Sequence, residues 1–262
     1  MNKKDKPNYG ITAIKEFSII GIIGIIGITI FIIGIFQQNI VKYILTIPGG
    51  IIGFIGIYLP LSYIFIRPFI FSDNPKRDFI LWALKEGEIK GDEKILDIGC
   101  GTGAVTIKIA KNLSTGKVVG IDVFKGMSGN SPNIALRNAE IEGVIDKVEI
   151  QNGNALDLPF ENNSFDIVTM GSVLHEMHTE ENVIKALNEV KRVLKPKGKF
   201  ITVELLRNIK MFILMLFLSL IWKPKEYWEQ CIKKVDLNIL NETIVKGPID
   251  MCFYIAQKQN KD

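Results

Sequence analysis

The sequence predicts an α/β protein: a mostly parallel sheet with helices on both faces and an antiparallel hairpin at the C-terminal end, preceded by a hairpin of two transmembrane helices. Three observations carry this. Two long uncharged runs precede residue 67, and short apolar runs alternate with amphipathic stretches from residue 72 onward. Two late strand-like runs are joined through only Lys246, Gly247 and Pro248, which permits a hairpin and excludes a parallel crossover.

The chain has 262 residues, 47% of them hydrophobic, with a mean hydropathy of +0.22. The apolar excess is concentrated at the start. Phe17 to Phe36 reads FSIIGIIGIIGITIFIIGIF, uncharged over a length that crosses a hydrocarbon core of about 30 Å. After Gln37-Gln38-Asn39 and Lys42, a second uncharged run extends from Tyr43 to Ile66. Gly21, Gly24, Gly27 and Gly34 in the first run, and Gly49, Gly50, Gly53 and Gly56 in the second, suit close packing of two antiparallel helices. The alternative is that glycine is merely common in such helices. The first run is too long for a signal-peptide core, and no small-residue cleavage site follows it.

Lys3, Lys4, Lys6 and Lys15 precede the first span and Arg67, Lys76 and Arg77 follow the second, whereas the loop between offers only Lys42. That bias places both ends, and the domain that follows, in the cytoplasm of a multi-pass cell-membrane protein. The expected division is a cytoplasmic tail at 1–16, two spans at 17–66, a linker and lead-in helix at 67–93, and a soluble domain at 94–262 with an apolar cap at 207–228.

Net charge is +4, and lysines interleave with carboxylates from residue 73 onward, so no basic stripe for nucleic acid exists. Cys100, Cys231 and Cys252 fall in no metal or disulfide spacing, and no metal site is expected.

SDNPKRDFILWALKEGEIKG, from Ser72, reads as a capped helix with Phe79, Ile80, Trp82, Ala83 and Leu84 on its apolar stripe. KILDI, KVVGID, KVEIQ, FDIVTM and KFITVEL read as five strands. AVTIKIAKNL, NIALRNAEIEG and ENVIKALNEVKRVL read as helices between them. DLNILNETIV and DMCFYIAQK supply the late hairpin, one strand of which should lie antiparallel in the sheet.

ILDIGCGTGAVT, Ile95 to Thr106, forms the turn after the first strand, where open α/β sheets hold their ligands. Its spacing is G-x-G-x-G at Gly99, Gly101 and Gly103. No G-K-[ST] follows, which excludes a Walker loop, and the third glycine stands too early for a pyrophosphate fingerprint. Asp122 ends the second strand, 19 residues beyond Gly103, where a carboxylate can accept both hydroxyls of a ribose. A ribose-bearing ligand with an uncrowded group against the glycines, such as S-adenosylmethionine, fits both features.

With these residues in order, the stretch from about Lys94 to Lys258 resembles the class I S-adenosylmethionine-dependent methyltransferases. The resemblance implies a Rossmann-like seven-stranded sheet and S-adenosyl-L-methionine as cofactor. ILDIGCGTG looks like the family's first motif, which implies Asp97 near the methionine amino group and Gly99, Cys100, Gly101 and Gly103 along the cofactor. Asp122 matches the ribose-binding acid, followed by Val123. GNALDLPF resembles the adenine-reading motif and places Asn154 and Ala155 there, with Asn154 departing from the usual aspartate. FDIVTMGSVLHEM is similar to the fourth strand and its loop and brings Gly171 to the cofactor. VKRVLKPKGKFITVE resembles the following helix, turn and fifth strand.

The resemblance also puts His175, in the loop after the fourth strand, near the transferred methyl group. It is the candidate catalytic base, or else an ordinary loop residue, and no partner for it is legible in the sequence. Glu176 and Asp166 read as structural. MFILMLFLSLIW, Met211 to Trp222, is too short to span a bilayer and reads either as an interfacial segment or as a buried cap. The expected partners are a lipid bilayer and a hydrophobic or lipid-like methyl acceptor such as a phospholipid headgroup or quinone precursor. The alternatives are a thiol or amine methyltransferase for small molecules, and a non-catalytic adenosylmethionine-binding membrane factor.

Overall fold

The computed structural model describes residues 7–9, 13–70, 78–124 and 130–259. Lys3, Lys4, Lys6, Lys76, Arg77 and the start of the expected lead-in helix lie outside the described residues. Two long helices come first, α1 (Ala13–Ile35) and α2 (Asn39–Ile70). Glycine decides how close they approach. A Cβ on Gly24 would lie 2.6 Å from the Gly56 carbonyl carbon, and one on Gly27 would lie 2.5 Å from the Gly53 nitrogen. The same antiparallel register reaches the far end of the pair, where Phe17 stacks on Tyr63 with ring centroids 4.1 Å apart. Backbone contact of this kind requires small residues, so the glycine spacing is structural.

Both helices are long and apolar enough to cross a membrane, and most of their isoleucines are exposed. α2 extends beyond the expected Tyr43–Ile66 at both ends and carries Pro48 and Pro60 without a break. Lys42 and Arg67 end the uncharged run but not the helix, because a charge is compatible with helical backbone.

Among the described residues, seven strands form one sheet: β1 (Lys94–Ile98), β2 (Lys117–Asp122), β3 (Val148–Asn152), β4 (Phe165–Gly171), β5 (Leu194–Leu205), β6 (Leu237–Val245) and β7 (Met251–Lys258). Their order is β3-β2-β1-β4-β5-β7-β6. Strand order reverses between β1 and β4. β7 is antiparallel to both β5 and β6, as the short link demanded, and it inserts between them. β5 begins before the expected Lys199, because its pairing with β4 jumps from Phe165↔Leu194 to Ile167↔Lys199 and absorbs the K-P-K-G turn as an irregularity.

Helices cover both faces. On one lie α3 (Phe79–Glu86), α4 (Ala104–Ala110) and α5 (Pro132–Ile141), packed on Ile95, Val118, Ile167 and Phe253. Asp78 starts α3 by accepting from the Ile80 and Leu81 N–H groups. On the other face lie α6 (Glu180–Val193) and α8 (Lys225–Lys234), around Phe165, Phe200 and Tyr254. The helix at 225–234 is not among those the sequence predicts. Its signal was the i, i+3, i+4 set Trp228, Cys231 and Ile232, all buried, within an otherwise charged stretch.

The apolar run 211–222 does not form one helix. α7 (Ile209–Met215) stops where Leu216 takes φ 50°, and a 3₁₀ turn continues over Leu216–Ile221. Met211 and Met215 are buried with Ile249, and Phe17 of α1 packs against this cluster. The Tyr58 hydroxyl of α2 donates to the Ile213 carbonyl. The segment therefore joins the sheet domain to one end of the helical hairpin.

Candidate functional site

A cleft of 420 Å³ opens at the carboxyl ends of β1, β2 and β4, where the strand order reverses. That position follows from topology: the loops leaving β1 and β4 diverge to opposite sides and leave a crevice between them. Gly99, Gly101, Asp122, Val123, Asn154, Ala155 and Gly171, candidate cofactor residues from the sequence, are brought together along its lining.

Gly99 and Gly101 sit at φ 76° and 53°, and a Cβ on Gly99 would fall 2.4 Å from Val173 Cγ2. Side chains here would strain the backbone and close the crevice. Asp122 holds the loop through both oxygens, Oδ2 accepting from the Gly101 N–H (3.0 Å) and Oδ1 from the Phe124 N–H (2.8 Å). Each oxygen retains acceptor capacity for a ligand hydroxyl.

Three expected cofactor residues are placed behind the wall of the cleft. Asp97 is 1% exposed, with its oxygens accepting from the hydroxyls of Thr106 (2.6 Å) and Thr169 (2.8 Å). Burial pushes its pKa up to about 6 although both hydroxyl bonds pull the other way. Cys100 is buried beneath the loop, its thiol pKa raised by burial and by the nearby Asp97 and Asp122. Gly103 caps α4 at φ 84°, against Ile107 and Ala135. These positions shape the loop rather than its inner surface. Asn154 lines the cleft, but its Oδ1 already accepts from the Leu156 N–H at 3.0 Å, so one lone pair remains for an adenine amino group.

His175 lies in a 3₁₀ turn, Leu174–Met177; its neighbours Val173, Glu176 and Met177 line the cleft, and the His175 side chain, 14% exposed, is not part of that lining. The structure supplies the partner that the sequence did not reveal. Glu204, fully buried on β5, accepts from the Leu174 N–H through Oε1 (2.8 Å) and meets His175 Nδ1 through Oε2 (2.9 Å). A carboxylate only accepts, so this bond keeps the proton on Nδ1 and leaves Nε2 with a lone pair. Burial pushes the His175 pKa down, but the Glu204 hydrogen bond and charge, with Glu176 adding, outweigh it and hold it above 6.5.

The Trp222 ring lies 5.9 Å from the imidazole, centroid to centroid, and its buried indole N–H has no hydrogen-bond partner among the described residues. Asp166 is indeed structural, tied to Lys195 and to the Lys94 N–H. Glu176, read as structural too, instead lines the cleft with Asn130, Gly153, Ser172, Val173 and Met177. The signal for Glu204 was a carboxylate within the apolar strand KFITVEL; nothing in the sequence singled out Asn130. Among the described residues no cluster of His, Cys, Asp and Glu could hold a metal ion.

Residues 96–202 match the family described as a methyltransferase domain. Demethylmenaquinone methyltransferase of Symbiobacterium thermophilum is 37% identical over 145 residues, 55% of this chain and 52% of that protein. The enzyme of the same name from Staphylococcus aureus is 37% identical over 123 residues, 47% of each chain. The chain thus spans about half the length of the curated relatives it matches. Among solved structures, a SAM-dependent methyltransferase from Methanosarcina mazei superposes with a TM-score of 0.59 at 21% identity, covering 68% of this chain and 98% of that one, which shows a shared fold. Sequence motif, domain match and sheet topology agree on a methyltransferase domain of the class I S-adenosylmethionine-dependent fold within this chain, matched over residues 96–202, with S-adenosylmethionine as the cofactor that such a domain implies.

Proposed function

We propose that this protein is a membrane-held methyltransferase whose acceptor is a hydrophobic molecule of the quinone-precursor class, with its catalytic domain on the cytoplasmic side of the cell membrane. The relatives named demethylmenaquinone methyltransferase support the acceptor class. The helical hairpin and the lysine bias around it support the location. The observation that carries the chemistry is the His175–Glu204 pair, in the turn whose Val173, Glu176 and Met177 line the cleft and beside Trp222 at the end of the apolar segment.

The cofactor's residues fit the cleft: Gly99 and Gly101 leave room against the backbone, Asp122 would accept the ribose hydroxyls, and Asn154 with the Ala155 backbone would face the adenine. S-adenosylmethionine supplies a methyl group on a positively charged sulfur. Methyl transfer is an in-line displacement, so the protein's tasks are alignment, exclusion of water and, for a protonated acceptor, removal of a proton.

His175 Nε2 is the free base. It takes the proton of an acceptor hydroxyl, which raises the nucleophilicity of that oxygen and of the ring carbons conjugated with it. Glu204 stabilises the imidazolium that results. The Trp222 indole offers an apolar face for an aromatic acceptor and an N–H for its oxygen.

The test is incubation of the reconstituted protein with methyl-labelled cofactor and either a prenylated quinol lacking the methyl group or a water-soluble thiol or amine. Label is expected in an organic-extractable product of the quinol. Cofactor binding with label only in the soluble acceptor would overturn the acceptor class. Binding with no transfer to acceptors or to a native membrane extract would favour a non-catalytic factor.

A further inference from the structure

The segment after β5 presents two unlike sides. Met211, Met215 and Ser219, four residues apart, face inward and are buried. Ile209, Phe212, Ile213, Phe217, Leu220 and Ile221 face outward and are 46% to 70% exposed among the described residues. A contiguous patch of large aliphatic and aromatic side chains is not a surface that water tolerates without function.

The helical hairpin says what covers it. α1 and α2 keep one antiparallel register, from Gly34 beside Thr46 to Phe17 stacked on Tyr63, so both helices reach the domain at the same end. Phe17 packs into the Met211–Met215–Ile249 cluster, and Tyr58 bonds to the Ile213 carbonyl. α7 therefore sits beside the last turns of the paired region. The stretch of α1 from Phe17 to Ile35 has 19 residues, about 28 Å at 1.5 Å per residue, and matches a hydrocarbon core of about 30 Å. A hairpin set in a bilayer over that length brings the outward face of α7 to the boundary between headgroups and acyl chains. An apolar groove lined by Ile28, Gly53, Phe54, Ile57, Tyr58 and Leu61 leads along the hairpin toward the same place. Arg207 precedes the patch, Lys210 follows its first residue, and Lys223 and Lys225 come after it, as suits an element at headgroup depth.

From this geometry we infer that residues 209–221 are a third membrane contact: a monotopic foot that inserts its outer face into the phospholipid bilayer and brings Trp222 and His175 to the membrane surface, where a lipid-dissolved acceptor enters. The inference rests on the membrane location proposed above.

The experiment separates the two. The full chain is labelled with an environment-sensitive fluorophore at a cysteine replacing Ile26, Phe217 or Glu140 in turn. The native cysteines are buried, and the unsubstituted chain controls for any labelling of them. Each protein is reconstituted into phosphatidylcholine vesicles with and without bromine on the acyl chains. Ile26 lies midway along α1 and reports the hairpin; Glu140 is an exposed residue of α5.

The expected result is quenching by brominated lipid at 26 and 217 and none at 140. Quenching at 26 without quenching at 217 overturns the foot and leaves the hairpin in the membrane. No quenching at either position overturns the membrane location and the foot with it. A blue shift at 217 that grows with protein density but not with bromination would mean that a second copy covers the face, and would also overturn the inference.

Discussion

Replacing Glu204 by glutamine tests the chemistry with little change of volume. The carboxylate accepts two hydrogen bonds inside the core, from the Leu174 N–H and from His175 Nδ1. An amide has one accepting end and one donating end. Its oxygen facing Leu174 satisfies the buried N–H, and its NH₂ group then faces His175 and demands an unprotonated Nδ1. The imidazole proton moves to Nε2, and the lone pair that would take the acceptor's proton is lost. The productive tautomer requires the amide to turn over, which sets a donor against the Leu174 N–H. Leaving that buried donor unsatisfied costs about 1–3 kcal/mol. The active population falls about 5- to 150-fold, and kcat with it.

Affinity for S-adenosylmethionine should change by less than about twofold, because that ligand is held elsewhere in the cleft; a tenfold effect corresponds to about 1.4 kcal/mol. The pH profile adds a second readout. Glu204 holds the His175 pKa above 6.5, so the acid limb of wild-type kcat lies above that value. Without the negative charge burial dominates, and the limb of the residual activity moves to lower pH. The assay is steady-state kcat against pH with the proposed quinol acceptor in vesicles, alongside calorimetric cofactor binding. Wild-type kcat with an unmoved limb in Glu204→Gln would refute both the tautomer argument and the role of His175.

Asp122→Ala removes the partner of two loop N–H groups and the proposed ribose acceptor. Calorimetry should show S-adenosylmethionine affinity reduced about 10- to 100-fold, since hydrogen bonds to a charged group contribute about 1.5–3 kcal/mol; unchanged affinity would remove the ribose assignment. Asp97 has a folded-state pKa raised from 3.8 to about 6, so the folded state binds its proton more tightly than the unfolded chain, and stability falls as pH rises between these values. Asp97→Asn removes this titration, so the loss of stability of the cofactor-free protein between pH 4 and pH 7 should be smaller than in the wild type. Thermal unfolding at the two pH values checks this, and an unchanged difference between them would contradict it. Gly56→Val would place a Cβ 2.3 Å from Gly24 Cα, so the helical hairpin should separate or shift, lowering thermal stability in detergent by about 1–3 kcal/mol. An unchanged melting temperature would mean that the helices do not meet there.

Local chemistry left the clearest marks in the sequence. The alternation of apolar runs with amphipathic stretches determined the α/β class, and the brief link through Lys246, Gly247 and Pro248 determined that β7 runs antiparallel to its neighbour. Gly99, Gly101 and Asp122 were legible because a loop that admits a ligand to backbone, and a carboxylate at a strand tip, each restrict residue type at a single position. The helical hairpin was legible because twenty uncharged residues suit few environments other than a bilayer.

What the sequence left open depended on pairs of residues far apart in the chain. Glu204 joins His175 across 29 positions through the adjacency of β4 and β5, so the partner of the candidate base became visible only with the sheet order. Asp97 and Cys100 belong to the glycine motif, yet the side chains of a buried strand and loop alternate in direction, and only tertiary packing showed that these two turn away from the cleft. The run 211–222 carried the same ambiguity, since apolar residues do not name their partner. Packing resolved it by burying Met211 and Met215 against the domain and the hairpin while leaving Phe212, Phe217 and Leu220 uncovered. A chain can specify where its apolar surface lies through residue type alone. Which part of that surface meets protein depends on contacts between remote segments, and these exist only once the fold has brought them together.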